Sequence, residues 1–211
     1  MGASATPSTR NVLRIYRAAT ADELAAGREW YARAQRLAAE LDEDVDRAAG
    51  VIAVLSPQTS WPLNVRLARR AYELRDAGAS VEEIVAGLRG CTHANGRKAA
   101  MILWGADPDA VVSGPKVRAF WHTIARPGDA RSVVVDRHAY DVAVGRVTDD
   151  TTRGRALGRV GGYAAVADTY LRAAKILRRQ GQDVTAADVQ AVTWTVWRAH
   201  HIRANHGDVA A

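Results

Sequence analysis

The sequence predicts an all-α fold of roughly ten helices. Three observations carry that expectation. Apolar residues recur at helical spacing through most of the chain. Helix-start signals recur between these stretches, among them Ser80-Val81-Glu82-Glu83, Asp107-Pro108 and Gly114-Pro115. Extended character is confined to the short run Val133-Val134-Val135. The first ten residues, small and polar, read as a disordered start. From about Glu23 to Leu41 the residues Trp30, Ala34, Leu37, Ala38 and Leu41 mark one long amphipathic helix. Val45 to Leu55 is more apolar and reads as a buried central helix. The two prolines of Ser56-Pro57-Gln58-Thr59-Ser60-Trp61-Pro62 must end it.

Asn64 to Arg75 resumes helix, and the Ser80 box opens a short one to about Leu88. Gly90 to Gly96 reads as a loop, Arg97 to Leu103 as helix. A helix of about five residues from Asp107-Pro108 stops at Ser113-Gly114. Pro115 opens a strong helix with Val117, Phe120, Trp121 and Ile124 on one face. His138 to about Val144 is helical. Residues 145–161, rich in Gly, Arg and Asp, read as a loop or lid. Helices over about 163–179 and 186–200 complete the chain, followed by a frayed tail. No internal repeat is found.

A length of 211 residues suits one domain, or at most a two-lobed one. A hydrophobic fraction of 48% is enough for a sizeable core. The single cysteine, Cys91, excludes a disulfide framework, a Cys-rich zinc site and an iron–sulfur cluster. No window approaches the ~18 apolar residues of a membrane helix, and MGASATPSTR lacks the apolar core of a signal peptide. A cytoplasmic protein with no membrane partner is therefore expected. The 29 Lys+Arg outweigh 23 Asp+Glu to give +6, and nearly all of that positive charge is arginine. Lysine occurs only at Lys98, Lys116 and Lys175. The excess suits a polyanionic partner, although abundant arginine codons in a GC-rich genome would also produce it.

Three constellations carry chemistry. In Ser113-Gly114-Pro115-Lys116, a glycine turn joins two helices and exposes backbone N–H groups to an anion such as a DNA phosphate. A lysine in the first turn opposes the helix dipole, which favours the neutral amine of a nucleophile. The same pattern also describes a plain helix start with a solvated lysine. In Val133-Val134-Val135-Asp136-Arg137-His138, an aspartate at the mouth of the core can stabilise a cationic sugar intermediate, or simply cap the next helix. The loop Ser56–Trp61 suits insertion into a DNA stack, or is an ordinary interhelix turn. His200, His201 and His206 read as solvated, and Cys91 and His93 lack partners at metal spacing, so no metal and no cofactor are expected. Trp30, Trp121, Trp194 and Trp197 fit apolar helix faces. The arginines of 153–159 are either solvated or DNA-facing.

Over roughly residues 45–200 these features resemble the helix-hairpin-helix DNA glycosylases, most closely the endonuclease III branch. Val51-Ile52-Ala53-Val54-Leu55-Ser56-Pro57-Gln58-Thr59 is similar to that branch's IAVLLSAQAT segment, and Asn95-Gly96-Arg97-Lys98-Ala99 to its YNSKA segment. Gly114-Pro115-Lys116 stands where the GVGRK hairpin carries a lysine nucleophile. Val135-Asp136-Arg137-His138 is similar to VDTH, whose aspartate is catalytic. Positions 116 and 136 are 20 apart, about the family's separation. Trp194-Thr195-Val196-Trp197-Arg198 resembles the late helix that closes that fold. The phrases around Trp61, Asn64 and Trp121 are also similar to actinobacterial phage proteins of this fold. The chain departs from the pattern in three ways. Val112 stands at the hairpin's first glycine, a helix between Lys98 and Lys116 is missing, and no four-cysteine cluster follows residue 200.

The resemblance implies a monomeric, base-flipping enzyme acting on damaged or modified duplex DNA. It implies one domain over 11–211 with a cleft between two helical lobes. About 45–125 forms one lobe, and the N-terminal helix with 130–200 forms the other. The expected activity is glycosylase chemistry with or without AP lyase activity, in base excision repair. Lys116 and Asp136 would be catalytic. Gln58, Ser60, Trp61, Asn95, Arg97, Lys98, Ser113, Gly114, Arg118, Arg137 and His138 would contact DNA. Two other readings remain open. One is a phage-type enzyme substituting an activated hydroxymethyl pyrimidine, the other a non-catalytic DNA-binding relic. The expected location is the cytoplasm, at the nucleoid or in a phage-infected cell.

Overall fold

A computed structural model describes residues 6–207, with side chains described for 6–200. Thirteen helices and no strand are present among the described residues. The chain divides into two compact units. One contains the described residues up to Ala32 together with those from Gly128 onward, the other Arg33–Pro127.

The discontinuous unit begins with α1 (Thr9–Arg17). This corrects the expectation of an irregular start. Residues 1–5 lie outside the described structure, but from Ser8 the chain is ordered by specific bonds. The Ser8 hydroxyl caps the helix at the Arg10 N–H, and the Ser8 N–H donates to Ala143 O at 2.8 Å. Val12, Leu13, Ile15 and Tyr16 form a buried stripe at helical spacing. The long helix expected from Glu23 to Leu41 is two, α2 (Ala21–Arg28) and α3 (Trp30–Leu41). A Thr20–Glu23 capping box starts α2. Gly27 permits its packing on α13, because a Cβ there would stand 2.5 Å from the Val192 backbone.

The remaining helices of this unit are α10 (Arg137–Val144), α11 (Asp150–Gly158), α12 (Gly162–Arg179) and α13 (Ala186–Gly207). They surround a core of Val133, Val135, Val142, Tyr170, Leu177, Val189 and Val196. The segment expected as a loop or lid over 145–161 thus contains a helix. Asp149 caps α11 at the Thr152 N–H. Arg153 reaches from α11 into a buried pair with Asp141 at 3.0 Å, while Asp141 Oδ1 accepts from Thr148 N and Oγ1. Both partners are nearly inaccessible, so Arg153 is a structural group and not a DNA-facing one.

The continuous unit is built around α4 (Val45–Leu55), every residue of which from Ala48 onward is buried. Against it pack α5 (Trp61–Asp76), α7 (His93–Leu103), α8 (Pro108–Val111) and α9 (Pro115–Ala125), with α6 (Val81–Gly87) resting on α5 and α7. Each buried Val, Ile or Leu side chain of α4 contributes about 1.5–3 kcal/mol. The loop expected over Gly90–Gly96 is shorter than its sequence suggests. Thr92 caps α7 at the Asn95 N–H, so Asn95, Gly96 and Arg97 belong to the helix.

An ion network pins the α3–α4 connection. Asp42 Oδ1 accepts from Arg47 Nη2 (2.6 Å), and Oδ2 from Arg47 Nε (2.7 Å) and Arg75 Nη1 (3.1 Å). Burial alone would raise this carboxyl. The Arg47 hydrogen bonds, helped by the Asp44 N–H, outweigh burial and hold it well below the usual carboxylate range.

Candidate functional site

The continuous unit presents a tight connection between α8 and α9. Asp107 caps α8, which ends at the extended and buried Val112. Gly114 then takes φ +82°, a conformation that a side chain would oppose, and Pro115 starts α9. Two basic residues brace the turn. Arg118 donates to the Asp109 carboxylate, to Asp109 O (3.1 Å) and to Val112 O (2.9 Å). Lys98, from α7, donates to Ser113 Oγ at 2.6 Å. The expected DNA contacts Arg118, Lys98 and Ser113 thus hold the turn together. Lys116 is exposed in the first turn of α9, with no ion pair or hydrogen bond among the described residues. It lies one helical turn before Phe120.

Phe120 meets Trp61 edge-on, with ring centroids 6.5 Å apart. This contact joins α9 to the loop at Ser56–Ser60. The loop is internally fixed, since Thr59 Oγ1 donates to Leu55 O and Ser56 O, both at 3.0 Å. Ser60 caps α5, and the buried Asn64 ties α5 to α4 by donating to Ile52 O (3.0 Å). Within this loop Gln58 is exposed and has φ +64°, the one non-glycine positive φ among the described residues. Such backbone costs a non-glycine residue about 1–2 kcal/mol. Gln58→Gly is therefore expected to stabilise the protein by about 0.5–1 kcal/mol in denaturant melts. The same change should weaken binding to an extrahelical-base duplex if the side chain fills the vacated stack. A variant that is both destabilised and fully active would contradict each part. Asn95 is half-buried on α7, and Arg97 lies 4.0 Å from Glu82.

The second group of residues belongs to the discontinuous unit. Val133–Val135 is buried and extended, and Tyr163 clamps it. The Tyr163 hydroxyl accepts from Val135 N (2.9 Å) and donates to Val133 O (2.8 Å). Burial pushes this phenol up to about 12, so it stays protonated as the clamp requires. The clamped extended segment delivers Asp136, half-buried, to the N-terminus of α10. There Oδ1 accepts from Ala139 N (2.8 Å) and Oδ2 from the Trp194 indole N–H (3.2 Å). The capping and catalytic readings of Asp136 are therefore compatible, because a carboxylate held by two donors is also oriented.

Aromatic and cationic groups surround it. Trp194 meets Trp30 and His138 edge-on, each at 6.4 Å, and Arg198 lies over its ring at 4.5 Å. Trp194 is half-buried, and its role as a partner of Asp136 was not visible from its place on an apolar helix face. Arg137 is exposed and donates to His138 Nε2 at 3.3 Å. Burial lowers the His138 pKa, Asp136 opposes that, and Arg137 and Arg198 add to it, so the neutral imidazole is favoured. Among the described residues no cluster of His, Cys, Asp or Glu is suited to a metal. No described helix is long and apolar enough to cross a membrane. His201 and His206 lie outside the residues with described side chains.

These elements define an all-α protein that carries a braced glycine turn before an exposed lysine and, in its other unit, an anchored, half-buried aspartate. The chain belongs to a family described as a family of unknown function (DUF7178), which matches residues 1–201. No curated protein and no solved structure matches it.

Proposed function

We propose that this protein is a two-lobed, DNA base-flipping enzyme of the helix-hairpin-helix type, acting as a DNA glycosylase with lyase chemistry. The observation that carries the reading is the hairpin. Its glycine turn is braced by Arg118 and Lys98, while Lys116, in the first turn of α9, makes no hydrogen bond or ion pair among the described residues. The backbone N–H groups there suit a phosphate, and an unengaged amine suits a nucleophile. The oriented Asp136 carboxylate adds the anionic group that a sugar cation needs.

In this reading the Lys116 amine, in its neutral form, attacks the sugar's anomeric carbon. The glycosidic bond breaks with its electron pair leaving on the base, which takes up a proton. Asp136 stabilises the positive charge that develops on the sugar. The bonded nitrogen gives up one proton, and the C1′–O4′ bond opens with its electron pair on O4′, which takes up a proton, leaving a protonated Schiff base on Lys116. Loss of the C2′ proton then expels the 3′ phosphate and cleaves the strand. Gln58 and Trp61 occupy the gap left by the extruded nucleotide.

The test is borohydride trapping on duplexes carrying abasic or modified sites. Wild type is expected to form a covalent adduct and Lys116→Ala to form none. Equal trapping by both would remove Lys116 from the chemistry. Mass spectrometry of the products separates the remaining reading: free base supports glycosylase action, whereas a heavier nucleoside assigns the protein to base substitution.

A further inference from the structure

Outside the residues discussed so far, α1 carries a second cationic feature. Arg10, Arg14 and Arg17 are all exposed on it, and the helix contains no acidic residue. They line a groove of 760 Å³ together with Leu13 and Ala18 beside them and Ile176 of α12; Thr9 completes the lining, and none of it is acidic. Arg17 donates only to the neutral Gln180 amide oxygen, at 3.4 Å. Arg10 and Arg14 make no ion pair among the described residues. This sets them apart from Arg47, Arg75, Arg118, Arg126 and Arg153, each of which meets a carboxylate.

The arginine face is also rigid. The opposite face of α1 is buried, and its start is fastened to the end of α10 by Ser8 N–H and Asn11 Nδ2, both donating to Ala143 O. At 1.5 Å per residue the three arginines span about 10 Å along the helix. That is about three nucleotide steps of one DNA strand. The eight-residue α10, about 12 Å long, separates this fastening point from Asp136 at its other end.

We propose that the α1 groove is a phosphate-backbone contact for duplex DNA, separate from the hairpin and from Asp136. The proposal rests on the DNA-directed reading above and adds a second strip of contact to it. An open groove with unneutralised guanidinium groups along one side tracks a polyanion, and does so without reading sequence. Its arginines add affinity and salt dependence, not base preference.

The experiment measures binding of a labelled duplex over a range of KCl concentrations by fluorescence anisotropy. It uses the full chain, the double variant Arg10→Gln/Arg14→Gln and the charge-preserving Arg10→Lys/Arg14→Lys. Each lost phosphate contact lowers the slope of log K against log [salt] by about 0.9, so the Gln variant should lose about 1.8 and the Lys variant almost none. Duplex binding with an unchanged slope in the Gln variant overturns the groove assignment and leaves the proposed function standing. Failure of the wild-type protein to bind duplex at low salt overturns both. Displacement of the duplex from α1 by inorganic phosphate at matched ionic strength, seen only when the arginines are present, would make the groove a small-anion site and also overturn the assignment.

Discussion

Asp136→Asn is expected to lower base release from DNA by about a hundredfold or more while leaving the fold nearly intact. The separation of the two effects follows from the geometry. Asparagine retains an oxygen to accept from Ala139 N, and it caps helices as well as aspartate does. The loss in stability should therefore stay within about 1 kcal/mol. What disappears is the negative charge, and with it, in the proposed mechanism, the stabilisation of a sugar cation. Single-turnover base release and thermal melts of the same preparations check the two halves. Asp136→Ala removes the cap as well and should cost about 1–2 kcal/mol. If Asp136→Asn lost stability and activity together, the residue would be a structural cap alone. Trp194, which donates to the other carboxylate oxygen, makes the same point from the far side, since its indole N–H orients the charge without supplying it.

The second large effect concerns Asp42. Asp42→Asn is expected to destabilise the protein by about 2–3 kcal/mol, because it leaves two guanidinium groups facing a neutral amide. The figure sits below the range for fully buried pairs because Arg47 and Arg75 keep 33% and 24% of their side-chain surface exposed. For a chain of this length the midpoint of thermal unfolding should fall by about 5–10 °C. The pH dependence has a definite sign. The folded carboxyl sits well below its unfolded value of 3.8, so its stabilisation is fully present above about pH 4. It diminishes as the pH falls below that. The gap between wild type and Asp42→Asn should therefore be constant near neutrality and narrow in acid. A gap that widened in acid would show that the network does not depend on the Asp42 charge.

Much of the architecture could be read from local chemistry. The Ser80–Glu83 box, the Asp107-Pro108 start, the Pro115 start and the apolar run of α4 each report a helix through residues close in sequence. The glycine turn before Pro115 was legible for the same reason. The failures share a cause as well. Three arginines obscured the buried stripe of α1, although Val12, Leu13, Ile15 and Tyr16 keep helical spacing. The packing allowed by Gly27 depends on Val192, far along the chain. Helix α11 has only Ala156 and Leu157 packed on the core, too few to create a period.

The candidate site divides in the same way. Asp136 and Lys116 announce themselves by what precedes them. Tyr163 and Trp194 do not, because a hydroxyl or indole N–H aimed at a partner 28 to 58 residues away leaves no trace in periodicity.

The discontinuous unit has a consequence for synthesis. A ribosome releases α1 and α2 first, yet their partners arrive last. Tyr16 bonds to Gln182, and Gly27 lies against Val192. Arg33–Pro127 is contiguous and can collapse as soon as it emerges, whereas the opening helices must wait for more than a hundred residues to be translated. The Asp136 carboxylate meets its indole partner only when α13 is made. A polypeptide terminated before α13 would therefore carry Asp136 without its indole anchor.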